Sequence, residues 1–152
     1  MKRRTLILTT VGMTIAGAIP TVRATTTPRL EVFRNPGCGC CEGWVDHLRS
    51  AGFEVSIEDD PNLEGRLEAL GIPPELGSCH VGMSSGYAFV GHIPSVDISR
   101  FLQSPPADAL GLTVPGMPAG SPGMGPEGSG GPYEVLLLSK DRSPSVYATH
   151  QA

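Results

Sequence analysis

The feature that most limits what this chain can fold into is a strand-to-helix junction crowded with cysteine. Three of the four cysteines, Cys38, Cys40 and Cys41, stand within four residues, and the fourth, Cys79, lies in Gly77-Ser78-Cys79-His80. An apolar run, Leu30 to Phe33, leads into the trio, and Trp44, Val45, Leu48 and Ala51 lead out of it at helical spacing. The pattern predicts a strand over 30–33 and a helix over 41–51 closed by Gly52, with the thiols at its start. Backbone N–H groups there lack intrahelical partners and the helix dipole favours negative charge, so a thiol ionises more readily than a free cysteine. The thiolate is both nucleophile and metal ligand. Dithiol–disulfide chemistry and soft-metal binding are therefore both open at this point.

Downstream, Phe53 to Glu58 alternates as a strand. Asp60 and Pro61 then suit the N-cap and first residue of a helix running to about Leu70, which Gly71 ends. A turn-rich link, Ile72 to Leu76, delivers the chain to Cys79. Val81–Ser84 and Tyr87–Val90 read as a hairpin, and Val96, Ile98, Phe101 and Leu102 form the apolar face of a further helix. This order, βαβα then ββα, is that of an α/β, thioredoxin-like core. In that fold C-x-x-C starts the first helix and the loop before the third strand lies against it. Cys79 falls in that loop, so the four sulfurs are expected to meet. From Pro105 to Pro132 glycine and proline dominate, the composition of a linker or of a functional loop. Tyr133–Leu138 and Ser145–Thr149 read as two more strands joined by a polar turn at Lys140-Asp141-Arg142, extending the sheet.

The N-terminus, with Lys2-Arg3-Arg4 before an uncharged apolar run from Thr5 to Ile19 and Val22-Arg23-Ala24 after it, has the order of a secretory signal peptide over 1–24. The run is too short to span a membrane, and Arg3-Arg4 leaves both the general secretory and the twin-arginine routes open. About 128 residues then remain, 25–152, the size of one domain. The net charge is −4 with few aromatics, which gives no basic stripe for nucleic acid. No later segment is apolar enough for stable membrane insertion. Four cysteines in an exported chain ordinarily form two structural disulfides. Here Cys40 and Cys41 are adjacent and Cys38 is two residues away, so crosslinks among them would staple almost no chain. Their reactivity is the simpler reason for their crowding.

The stretch Asn35-Pro36-Gly37-Cys38-Gly39-Cys40-Cys41-Glu42-Gly43-Trp44-Val45-Asp46-His47-Leu48 resembles the signature of the CopG-type family of small exported bacterial copper-resistance and metal-binding proteins. Pro74 through His80, Gly91-His92-Ile93-Pro94, and Gly111 through Met124 are similar to the same family. The resemblance implies a thioredoxin-like fold and periplasmic copper binding. The family's clustered cysteines match Cys38, Cys40 and Cys41, and its later cysteine matches Cys79.

Charge and donor type bear on the metal. Four thiolates carry about −4, and one Zn²⁺ leaves about −2, which closed Cys₄ sites tolerate. Cu(I) is soft, and several Cu(I) ions bridged by the same sulfurs neutralise more of that charge. Adjacent cysteines suit bridging better than one tetrahedral ion, so copper, as Cu(I) and in a multinuclear cluster, is favoured over zinc. In the competing reading Cys38 and Cys41 are the redox pair of a thiol-disulfide oxidoreductase with no metal role, with Cys40 or Cys79 as resolving thiol. The two combine if the dithiol supplies electrons to Cu(II). Partners under these readings are copper ions and a periplasmic copper chaperone, an exporter or a thiol reductant. Among further candidates, Met117 and Met124 offer thioethers if the glycine–proline loop covers the cluster. His80 is a possible ligand, although strand alternation would point it away from Cys79 and make it a hydrogen-bonded or solvent-facing histidine. His92 reads as structural or as support for a ligand, His47 as exposed, and Trp44 as the anchor of the first helix.

Overall fold

Period-two alternation builds the sheet, and its two faces feed two separate apolar clusters. The computed structural model describes residues 27–126, 128–140 and 143–151. The signal peptide expected over 1–24 lies outside them, as do Asp141 and Arg142 of the expected turn. The strands are β1 (Arg29–Arg34), β2 (Glu54–Asp59), β3 (His80–Ser84), β4 (Tyr87–Val90), β5 (Ala109–Thr113), β6 (Tyr133–Ser139) and β7 (Ser145–His150). The helices are α1 (Gly39–Ser50), α2 (Leu63–Ala69) and α3 (Ser95–Gln103), with one 3₁₀ turn at Pro74–Leu76. The sheet is mixed, in the order β2-β1-β3-β4-β5-β6-β7. Leu30 and Val32 of β1, Phe89 of β4, Leu112 of β5 and Val135 of β6 pack with Trp44, Val45 and Leu48 of α1 and Ile98 and Phe101 of α3. Phe33, Val81, Ala88, Val90 and Leu138 pack instead with Leu63 and Leu67 of α2. The helices therefore cover both faces, α1 and α3 on one and α2 on the other, as a mixed sheet with β-α-β crossovers requires.

Three expectations are corrected. Asp60 does not cap α2, and Pro61 is not its first residue. The helix begins at Leu63 after Asn62, which makes no side-chain cap. Asp60 instead accepts the Asn62 N–H at 2.9 Å and the Arg66 Nε–H at 2.6 Å, so the local turn wins its carboxylate from the helix end. The glycine–proline stretch is not all loop, because β5 runs inside it, parallel to β4, with Phe89 opposite Leu112. Leu110 and Leu112 sort to different clusters although they are two residues apart, because a register shift between Ala109 and Gly111 breaks the strand's period. The sheet is thus extended by three strands and not two. Helix α1 also starts at Gly39, two residues early, with Cys38 in the N-cap position and no side-chain cap bond.

The remaining loop, 114–132, folds back onto the start of α1. A Cβ on Gly43 would lie 2.9 Å from Gly123 Cα, and one on Gly123 would lie 2.5 Å from Trp44 N. Gly123 also has φ +83°, where a side chain is strained. Only a glycine pair permits this backbone contact.

Candidate metal centre

Strand register brings the sulfurs together. β1 and β3 are antiparallel with Arg34 opposite His80, so the residue before β3 lies beside the loop that follows β1. The Asn35 N–H donates to the Cys79 carbonyl at 3.0 Å, and the Cys38 N–H closes a turn onto the Asn35 carbonyl at 3.2 Å. Cys79 therefore faces the first turn of α1. Its Sγ lies 3.1 Å from that of Cys38 and 3.7 Å from those of Cys40 and Cys41. Cys38 and Cys41 form a disulfide, while Cys40 and Cys79 are free. One donor atom from each of the four lies within 4.8 Å of the others, a grouping able to hold metal. Of the two loop methionines, Met117 brings its Sδ to 3.9 Å from Cys79 Sγ and is 40% exposed. Met124 is half-buried and spends its backbone on loop turns, its N–H on Ser121 O and its carbonyl on Gly120 N–H. Among the described residues, Met117 and not Met124 brings a thioether into contact with a cysteine sulfur.

His80 departs from the expectation that it points away from Cys79. Its Nδ1 is 3.3 Å from Cys41 Sγ and 3.7 Å from Cys79 Sγ. Cys79 precedes the strand, so the alternation of strand side chains does not separate the two. The ring is buried, and its Nε2–H donates to the Gly91 carbonyl at 3.1 Å, as a hydrogen-bonded histidine would. His92 is buried too. Its Nδ1–H donates to Pro122 O at 2.8 Å, and its Nε2 has no partner among the described residues. The two imidazoles meet edge to face with centroids 4.9 Å apart. Trp44, fully buried, donates Nε1–H to Ile93 O at 2.8 Å and places its ring 4.5 Å from that of His80. His47, expected to be exposed, is half-buried and accepts the Ser95 N–H on Nε2 at 2.9 Å. It thereby satisfies an otherwise unpaired donor at the start of α3.

The electrostatics follow from burial. Cys79 is off the helix, and burial first, then neighbouring Cys40, pushes its thiol up to about 11. It is protonated at neutral pH until a metal displaces the proton. Burial, aided by the nearby His92 and opposed by the Gly91 carbonyl, holds His80 down to about 3. Burial also lowers His92. Both rings are neutral, the form that ligates metals.

His92 was not among the ligands expected from sequence. Its signal was present in Gly91-His92-Ile93-Pro94, but nothing in that run shows that a ring nitrogen will be orphaned beside Cys79 and His80.

A family model described as "Protein of unknown function, DUF411" matches residues 76–124, a span that includes Cys79, His80, His92, Met117 and Met124. No curated protein matches the chain. Two solved structures resemble it over nearly all of their length. One, "Copper resistance protein copG- Form 1", is 35% identical with a TM-score of 0.77, covering 84% of this chain and 100% of that one. The other, "Copper resistance protein copG- Form 2", is 36% identical with a TM-score of 0.76, covering 82% and 99%.

Proposed function

This chain belongs to the CopG-type copper-resistance family, and on that premise we propose that it is a periplasmic protein holding Cu(I) on Cys38, Cys40, Cys41 and Cys79. The observation that carries this reading is the convergence of the four sulfurs at one point, three from the head of α1 and one from the residue before β3. The donor set fits copper. Besides one another, the cysteine sulfurs have a neutral imidazole, a hydroxyl and a thioether as side-chain hydrogen-bonding neighbours among the described residues, none of them cationic. Arg34, the closest cation along the chain, is engaged by Glu42 and Asp59. The thiolate charge therefore falls to the metal to neutralise, which favours several bridged Cu(I) ions over one Zn²⁺. The order β2-β1-β3-β4, with β1 parallel to β2 and antiparallel to β3, supports a thioredoxin-like core, extended by the later strands, in a single domain over residues 25–152.

The Cys38–Cys41 disulfide gives the site a second state. Two thiolates can pass one electron each to two Cu(II), yielding two Cu(I) and the disulfide. A two-electron thiol reductant then restores the dithiol. Met117 shields the open side of the cluster, and His80 fixes Cys41 and Cys79 from the buried side.

The test is an anaerobic Cu(I) titration of the reduced protein beside Cys38→Ser, Cys40→Ser, Cys41→Ser and Cys79→Ser. More than one Cu(I) per chain is expected, with fewer ions held by every variant. A single tightly held zinc in the purified protein would count against copper. Metal-free disulfide exchange on a scrambled substrate, unchanged by Cys79→Ser, would instead place the chain among thiol-disulfide oxidoreductases.

A further inference from the structure

We infer that the groove between α2 and the link before β3 docks an extended, basic segment of a protein dithiol, and that this partner's thiol attacks Cys38. The inference rests on the disulfide step proposed above and names the kind of reductant that completes it.

Electron count calls for an outside thiol. Cys40 and Cys79 are free beside the Cys38–Cys41 disulfide, but exchange among the four only moves the disulfide and restores no electrons. Neither free sulfur is placed for exchange either. Attack on a disulfide runs along its S–S axis, and a sulfur in contact with Cys38 on that axis would stand about 5 Å or more from Cys41. Cys79 Sγ is 3.1 Å from Cys38 but only 3.7 Å from Cys41, and Cys40 Sγ, 3.5 Å from Cys38, is within 4.8 Å of Cys41. Both lie beside the bond. Cys41 is fully buried and Cys38 half-buried, so an incoming thiol reaches Cys38.

A groove of about 750 Å³ ends at this point. Asn35, whose carbonyl holds the Cys38 N–H, and Ser78, which precedes Cys79, line its cysteine end. The floor is apolar, from the buried Leu63, Leu67 and Ile72. The Ser78 N–H and carbonyl have no partner among the described residues, so a donor and an acceptor stand open to the backbone of an extended peptide. The rim carries Glu64 and Glu68, exposed and one turn apart on α2, and none of the lining residues is cationic. Like charges at that spacing cost helix stability, and no ion pair offsets them among the described residues. They suit lysine or arginine on the occupant. A second copy of this chain, with net charge −4, has the wrong sign.

The partner's thiolate bonds to Cys38 Sγ as the Cys38–Cys41 bond breaks. Cys41 leaves with the electron pair and takes up the proton that the partner's thiol released. The partner's second thiolate then attacks its own half of the mixed disulfide and frees Cys38. The partner ends as a disulfide, and the site as a dithiol two electrons richer.

Two synthetic peptide dithiols, identical except that lysine or glutamate flanks the cysteines, are reacted with the protein in its disulfide form. Rates are scaled to those of the same peptides with uncharged hydroxyethyl disulfide, which removes the effect of flanking charge on the thiol itself. The lysine peptide is expected to reduce Cys38–Cys41 at least about tenfold faster at low salt, and the gap should close in the Glu64→Gln, Glu68→Gln double variant. Equal scaled rates with the parent protein, or an undiminished gap with the variant, overturn the inference. Acid-quenched intermediates should carry the peptide on Cys38, and attachment to another cysteine contradicts the assigned attack. A measurement without substitution guards against a misfolded variant. The lysine peptide with serine in place of cysteine should shift the backbone amide resonances of Ser78 and of α2 in the parent protein, and unmoved resonances sink the groove. Cu(I) uptake by the reduced protein without a charge preference strikes the docking alone. A charge preference without Cu(I) uptake strikes the copper reading and leaves the groove standing.

Discussion

At the scale of single residues, Asp60 shows how a carboxylate serves the turn it sits in. The Arg66 hydrogen bond first, then the Asn62 N–H, hold its carboxyl below the usual carboxylate range. A depressed carboxylate contributes stability that is present above the unfolded value and is lost as pH falls through the folded one. Equilibrium denaturation of Asp60→Asn should therefore give a curve flatter than the parent's as pH falls below about 4, and parallel slopes there would contradict it. The partly exposed Arg66 guanidinium keeps the effect modest. The same logic of partners governs His80 and His92. Their backbone acceptors, at Gly91 and Pro122, choose the tautomer, and the chosen tautomer decides which lone pair faces the sulfurs.

At the scale of elements, the contact between the 114–132 loop and α1 carries much of the site's geometry. It joins Gly43 to Gly123 backbone to backbone and so sets Pro122 O against His92. Gly123→Ala adds a Cβ where there is neither space nor a favourable φ, at a cost of about 1–3 kcal/mol. The loop should lift, and limited proteolysis within 114–132 should accelerate. Gly116→Ala, also at positive φ but with nothing within 4 Å, is the control for backbone strain alone. Equal cleavage of the two variants would dismiss the close approach as the cause. The meeting of Cys79 with the trio was legible in the sequence because element order alone places the start of β3 beside the end of β1. Strand β5 was not, since Gly111 and the neighbouring prolines read as loop while Leu110 and Leu112 were sorting to opposite faces. The Gly43–Gly123 contact and the buried side of the site were illegible for another reason. The first joins residues 80 positions apart and the second sets His92 on Pro122, 30 positions away, and neither glycine nor histidine announces its partner.

At the scale of the molecule, the far edge of the sheet is tied down by a buried acid. Asp97 of α3, 2% exposed, pairs with Arg100 at 2.9 Å and with His150 of β7 at 2.5 Å. His150 in turn stacks on Tyr133 of β6. Replacing Asp97 by Ala should lower unfolding free energy by about 1–3 kcal/mol in denaturant. Cu(I) capacity should be unaltered, because β7 stands four strands from β3. Loss of capacity in a variant that remains folded would show that the sheet communicates between its edges. On the copper reading, the donors come from 38–41, from 79–80 and from 117, with the Pro122 prop later still. No fragment ending before the second half of the chain contains them all. On that reading, charging with metal is the last act of assembly: a growing polypeptide has fingers but no fist, and closes on its cargo only after the late loop has come home.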